Sequence, residues 1–478
     1  MSVRAPKLFQ NTAIYSVIAV LQKGISFFLL PLYTAYLTPS DYGVMNVVTT
    51  LSSLLSLFII LGLSGAGTRF YSLHPNDENY IKSLWGAISS FVLLNSIFIV
   101  TLIVAFHRFL IDPLAGDIKF YPFLFLGFAN VLVSPLYVLY QDYLRSRQMG
   151  VHYGVNTFSY FIINTILIIL FIAVFKKGVI GVLIANLITS VIFFIYVLFS
   201  FMPKLKLSLD RYILKPSFRY SLPLVPHLIA GWSAGMLDRL LLNGLKDEKD
   251  TGLYSVASQF GNIVNVIVSS FNSAYSPWFF NAYDKCEYDK IRKVGTLIAV
   301  SISGVAFVIS LFSPEVLKIM VQDEFSIVWS IIPLLCFAYV FQGLYSVFAS
   351  VLFLEKTKYV FIITISSMIV NILLNILLIP PMGYIGSAIA CFVTFFIKSI
   401  IALILARKFD SNIQFKWSLY YLIVFALFAM TFINNLLIKE STFFSLGIKL
   451  LFVSGILTIL YTKYKYKLIN YKHLFIQK

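Results

Sequence analysis

Fourteen stretches of this chain are apolar enough and long enough to cross a bilayer, and that leaves few ways to fold it. They fall at about residues 11–33, 42–66, 82–106, 120–142, 155–175, 179–201, 217–242, 252–277, 293–312, 327–352, 359–379, 383–405, 417–437 and 444–462. A hydrocarbon core asks for about 20 apolar residues per helix, and every backbone polar group inside it must be satisfied within the protein. The expected fold is an all-α polytopic membrane protein with about 14 transmembrane helices. Composition agrees, because 59% of the 478 residues are hydrophobic and 12% are charged, too few to cover a soluble surface.

The net charge of +17 does not point to nucleic acid, since the basic residues are spread over short loops and form no single patch. They report topology instead. With the N-terminus inside, 25 of the 37 Lys and Arg fall on cytoplasmic segments and 8 on outer loops; Lys23, Arg239, Lys398 and Lys449 lie within spans. By the positive-inside rule both termini face the cytoplasm. The opening run from Asn11 to Tyr33 is too long for a signal-peptide core and reads as an uncleaved first span. Cys286, Cys336 and Cys391 lie far apart, and no C-x-x-C or His/Cys ligand spacing occurs. No disulfide scaffold, metal site or cofactor is expected.

The chain repeats itself. Asp41-Tyr-Gly43 recurs as Asp250-Thr-Gly252, and at the same offset of 209 Arg69-Phe-Tyr71 falls on Trp278-Phe-Phe280. Gly178-Val-Ile-Gly181 recurs as Gly383-Tyr-Ile-Gly386 at 205, and Asn164 falls on Asn371 at 207. Segments one to six and seven to twelve are thus two copies of one unit. Six is even, so both copies enter from the same side and make a parallel repeat with a substrate cleft between its halves. The expected division is a six-helix lobe over 1–203, a second over 204–410, and two further helices with a basic tail over 411–478.

Several ordered motifs resemble those of the polysaccharide-export flippases, the Wzx-type O-antigen and capsule repeat-unit translocators of the multidrug/oligosaccharidyl-lipid/polysaccharide exporter superfamily. They are Leu30-Pro31-Leu-Tyr-Thr-Ala-Tyr-Leu37-Thr-Pro39-Ser-Asp41-Tyr-Gly43, Arg69-Phe-Tyr71, and Asp238-Arg239 followed by Gly252-x-Tyr254-Ser-x-Ala257. The resemblance covers almost the whole chain. It implies passage of a lipid-linked oligosaccharide, usually on undecaprenyl pyrophosphate, from the cytoplasmic to the outer leaflet, by rocking of two lobes around a cationic cavity. It also implies contact with membrane lipids, proton or sodium coupling, and a polysaccharide polymerase machinery as partner.

A cargo with an anionic pyrophosphate, a polar glycan and an apolar tail needs cations and hydrogen-bonding groups in a wet cavity. No bond is made or broken, so the chain is not expected to be an enzyme and no residue is assigned as catalytic. Lys23, about 18 Å into the first span at 1.5 Å per residue, is too deep to snorkel and is the first substrate-binding candidate. Arg69, Arg239 and Lys398 follow it. Arg69 is equally explained by the positive-inside rule, and Lys398 is near enough to the cytoplasmic end of its span to snorkel. Asp238 and Arg239 are adjacent, hence about 100° apart on a helix, and each needs its own environment; an interfacial ion pair with the turn Lys246 to Asp250 is the plain alternative. Asp238, read as the one acid clearly within a span, is the candidate ion-coupling group, and Asp41 occupies the matching turn of the first copy, where it also suits a helix N-cap. Pro31, Pro223 and Pro226 are expected to bend or break the first and seventh helices and so serve gating. Lys449 reads as structural.

Three other readings compete. A multidrug or metabolite antiporter favours carboxylates over the cations found here. A membrane glycosyltransferase or polymerase needs a larger outer loop than this chain has. A lipid II-type flippase differs only in cargo.

Overall fold

The computed structural model describes residues 27–410, 412–413 and 415–437, together with Ile18 and Lys449. Among these the regular structure is all helix, with no strand. The first half supplies α1 (Leu30–Tyr36), α2 (Pro39–Ile60), α3 (Leu63–Leu73), α4 (Glu78–Leu110), α5 (Phe125–Ser146), α6 (Gly150–Ile169) and α7 (Gly178–Ser200). The second supplies α8 (Arg211–Ser221), α9 (Val225–Leu245), α10 (Glu248–Asp284), α11 (Tyr288–Met320), α12 (Ile332–Glu355), α13 (Thr357–Met382) and α14 (Tyr384–Phe409), and α15 (Trp417–Leu437) follows.

Ten helical stretches among the described residues are long and apolar enough to cross a membrane, which makes this a multi-pass membrane protein. Most of the first and fourteenth expected spans lies outside the described residues. The seventh span, expected as one helix over 217–242, is broken. A 3₁₀ turn at Leu222–Leu224 containing Pro223 separates α8 from α9, and Pro226 sits in the first turn of α9, where its missing N–H costs nothing. The eighth, within α10, is 37 residues long but carries Asn262, Asn265, Ser269, Ser270, Asn272 and Ser273 along its middle. The second span also divides. Leu61 (φ 50°) and Gly62 (φ 70°) are both left-handed, so the helix stops between α2 and α3 and places Arg69 on a separate segment.

Buried apolar side chains form two clusters. One is drawn from residues 47–214, and the other mainly from 242–424, reaching back to Leu30, Leu37 and Tyr42. The repeat shows in the local geometry. α2 is capped by Thr38, whose hydroxyl accepts from Asp41 N (3.2 Å) while the Asp41 carboxylate accepts from Thr38 N (3.2 Å). At the same offset of 209, Asp247 caps α10 by accepting from Asp250 N (2.7 Å). Asp41 is therefore the N3 partner in a capping box and not the N-cap itself, an arrangement that stabilises a helix start by about 1 kcal/mol.

The glycines two residues further on bring the two copies together. A Cβ on Gly43 would lie 1.8 Å from the Glu248 carbonyl oxygen, and one on Gly252 would lie 1.9 Å from the Pro39 carbonyl oxygen. The contact is reciprocal. Equivalent residues of equivalent helices touch backbone to backbone, so a local pseudo-twofold axis runs between Gly43 and Gly252.

Candidate functional site

Beyond this crossing, α2 and α10 carry matching polar stripes. On α2 they are Asn46, Thr49, Ser53 and Ser56, spaced for one helix face; at offset 209 stand Ser255, Ser258, Asn262 and Asn265, with Ser269, Ser270 and Ser273 beyond. Thr49, Ser269, Ser270 and Ser273 are exposed, and Asn46, Ser53, Ser56, Asn262 and Asn265 are partly so. Exposed amides and hydroxyls in the middle of a membrane helix belong to water, not to acyl chains. α9 lies against both helices. Trp232 Nε1 donates to Ser53 Oγ at 2.8 Å on one side, and Arg239 reaches Ser255 and Ser258 on the other. Three exposed glycine positions face open space nearby, Gly65 on α3 and Gly231 and Gly235 on α9.

The stripe hydroxyls have a polarity. Thr49 donates to Met45 O, Ser53 to Thr50 O, Ser56 to Ser52 O, Ser269 to Asn265 O, Ser270 to Val266 O and Ser273 to Ser269 O, at 2.7–3.1 Å. With each proton turned into its own helix, what remains outward is lone pairs. The hydroxyls accept hydrogen bonds, and the Asn262 and Asn265 amides among them carry donors as well as acceptors. The stripes suit a partner rich in hydroxyl groups.

Asp238 and Arg239 are each 5% exposed, on separate partners as their 100° divergence demands. Tyr254 Oη donates to Asp238 Oδ2 (2.7 Å) and Asn375 Nδ2 donates to Asp238 Oδ1 (2.9 Å), which ties α9 to α10 and α13. Asn375 Oδ1 is buried with no partner among the described residues. Arg239 donates from Nη2 to Ser258 Oγ (2.8 Å), from Nε to Ser255 Oγ (3.3 Å) and from Nη1 to Gly235 O (2.6 Å). The ion pair with the turn Lys246 to Asp250 is not formed. Both side chains point into the protein, because water at the interface is a worse competitor than a ready set of hydroxyl and amide groups.

The other candidates are scattered. Arg69 is exposed on α3, its guanidinium 4.5 Å from the Tyr220 ring on α8. Lys398 does not snorkel: it is 5% exposed, donates to Gln342 Oε1 (3.1 Å) and lies 4.2 Å from the Tyr345 ring, so α12 supplies an alternative to the membrane surface. Asp41 is engaged in the cap of α2. Pro31 occupies the first turn of α1, after a break at Leu29. Lys23 lies outside the described residues. Asp238 is not the one acid inside a helix of the membrane region, because α11 runs past the expected limit and buries Glu315, whose carboxylate accepts from Lys449 Nζ at 2.7 Å. The stripes escaped notice in the sequence because Ser, Thr and Asn carry no charge, although their offset of 209 is visible once Gly43 is aligned with Gly252.

A model described as polysaccharide biosynthesis protein matches residues 8–283, more than half of the chain. The chain belongs to the polysaccharide biosynthesis protein family. A second family model, MatE, matches residues 223–377. A curated relative, Lsg locus putative protein 1 of Haemophilus influenzae, is 24% identical over 285 residues, 58% of this chain and 67% of its own. Among solved structures, the lipid II flippase MurJ in an inward closed conformation superposes with TM-score 0.72 at 18% identity, over 96% of this chain and all of its own. An inward-facing multidrug resistance MATE transporter of the MOP superfamily gives 0.59 at 16%, over 84% and 99%. The chain therefore has the fold of MOP-superfamily transporters.

Proposed function

We propose that this chain translocates a lipid-linked oligosaccharide repeat unit, carried on undecaprenyl pyrophosphate, from the cytoplasmic to the outer leaflet for cell-surface polysaccharide assembly. The observation that carries the reading is the pair of polar stripes on α2 and α10, a row of hydroxyls and amides within a membrane core. Family membership supports it. In this reading lobes 1–203 and 204–410 rock about the Gly43/Gly252 crossing, with both termini on the cytoplasmic side of the inner membrane. Arg69, with no carboxylate partner among the described residues, meets the pyrophosphate at the cytoplasmic mouth, and Lys23 meets it deeper in. Deleting the gene and extracting lipids tests the function: complete lipid-linked units accumulate and the wild-type protein clears them. Their absence, in a strain shown to make the units and to lack a redundant flippase, sinks the proposal. Defined lipids in vesicles distinguish this cargo from lipid II.

A second element concerns energy. The Asp238 carboxylate is held by two neutral donors, Tyr254 Oη and Asn375 Nδ2, and the Asn375 Oδ1 atom has no partner among the described residues, a setting in which a proton taken up by Asp238 removes a buried charge. Asp238 thereby couples an ion gradient to the swing of α9. Asp238→Asn should retain cargo binding and lose the dependence of transport on that gradient; an unchanged dependence would remove the assignment.

A further inference from the structure

On the far flank of the second half, α15 packs on α11 and α12 and meets α14 through side chains, Ser399 Oγ to Tyr421 Oη at 2.8 Å and Phe396 against Phe425, with an open groove of about 640 Å³ along their seam. Its walls are apolar: Phe396, Ile400 and Ile404 from α14, Trp417, Tyr421 and Phe425 from α15. Ile404 is 58% exposed. At one end, and nowhere else in the groove, stand Arg407 and Lys408. Both are exposed, and neither has a carboxylate partner among the described residues. The Arg407 guanidinium lies 5.8 Å from the Trp417 ring, at the level where an indole marks the headgroup layer.

We propose that this groove is a binding site for one anionic phospholipid, with an acyl chain along the apolar walls and the phosphate between Arg407 and Lys408. Room and charge favour this occupant. The groove of about 640 Å³ has space for an acyl chain, and the one described residue of the last expected span, Lys449, bonds to Leu311 and Glu315 of α11 and not to the groove walls. The chain's own tail is also unsuited. Residues 463–478 carry five lysines and no acid, and would repel the cationic end. The inference stands apart from the transport reading, since the groove belongs to α14 and α15 and not to the stripes on α2 and α10.

The test is native mass spectrometry of the full chain released from nanodiscs of phosphatidylglycerol, phosphatidylcholine or either with added polyprenyl phosphate. Wild type should retain one phosphatidylglycerol in preference to phosphatidylcholine. Arg407→Gln with Lys408→Gln should weaken that retention roughly 30-fold, as expected for two surface cations. Ile404→Trp, which fills the groove and keeps the charges, should abolish it; gel filtration and thermal midpoint confirm that both variants are folded. Equal retention of the two phospholipids by wild type overturns the proposal, as does undiminished retention by the folded charge variant. Preference for polyprenyl phosphate over phosphatidylglycerol also overturns it and gives the groove to the cargo.

Discussion

The two halves of the molecule share their geometry and differ in their charge. α1 ends at Tyr36 and α9 at Leu245, the caps are Thr38 and Asp247, the crossing glycines are Gly43 and Gly252, and all are 209 residues apart. At that same offset Asp238 and Arg239 correspond to Leu29 and Leu30, and Tyr254 corresponds to Met45. Asn375, at the offset of 207 that relates Asn371 to Asn164, corresponds to Ile168. The first half has hydrocarbon where the second has a carboxylate, a guanidinium, a phenol and an amide. A repeat can thus keep its backbone symmetry, which packing enforces, while a buried cluster such as that around Asp238 and Arg239 is built in one copy only.

The largest effect should come from breaking what is shared. Gly43→Val and Gly252→Val each drive a side chain into a carbonyl of the partner helix, which no rotamer relieves. Both should abolish complementation of a deletion strain at equal membrane abundance, whereas Gly244→Ala, which meets open space, should be silent. A phenotype in one crossing variant alone would show that the axis is not functional.

The next effect separates buried charge that builds from buried charge that works. Lys449 is 2% exposed and fully committed, donating to Leu311 O at 2.9 Å and to both oxygens of Glu315. Removing one member of such a pair strands the other, so Glu315→Leu should lower stability by about 3–5 kcal/mol, and adding Lys449→Leu should restore most of it. A thermal-melt double-mutant cycle reads this directly. If the double variant is no better than the single, the pair is not the unit that matters. Asp238→Leu leaves the Tyr254 hydroxyl without its acceptor, while Asn375 Nδ2 keeps Asn371 O, and should cost a smaller 1–3 kcal/mol, roughly, while removing the proposed ion coupling.

How much of this was legible in the sequence follows from what each signal depends on. The helices, their parallel repeat and the break at Pro223 come from local patterns of apolar, Gly and Pro residues, which read directly. The division of the second span did not. Leu61 adopts a left-handed conformation that only its tertiary setting makes tolerable. Lys398 was misjudged for a similar reason: snorkelling distance is a property of one helix, but Gln342 and Tyr345 lie on another, more than fifty residues earlier. The functional candidates were sought among charges, so the neutral stripes were overlooked although their spacing was in plain view.

The smallest effect is also the sharpest comparison, because it changes one position in both copies. Ser258 and Thr49 are equivalent, yet Ser258 accepts from the Arg239 guanidinium at 2.8 Å and is 6% exposed, whereas Thr49 is exposed and bonded only to its own helix at Met45 O. Ser258→Ala removes an acceptor from a buried cation and should lower stability by about 1.5–3 kcal/mol. Thr49→Val keeps the shape of the side chain and loses an exposed hydroxyl whose one bond runs back to Met45 O, where water offers nearly as good a partner, so its stability should stay within about 0.5 kcal/mol of wild type. Transport should nonetheless fall about fivefold in Thr49→Val, the worth of one hydrogen bond of about 1 kcal/mol to a cargo hydroxyl. Vesicle assays at matched protein levels measure the second quantity, and thermal melts the first. Should Thr49→Val transport at the wild-type rate, the first-half stripe does not touch the glycan. The shared polar pattern would then be a relic of the repeat, with glycan recognition left to the stripe of the second copy.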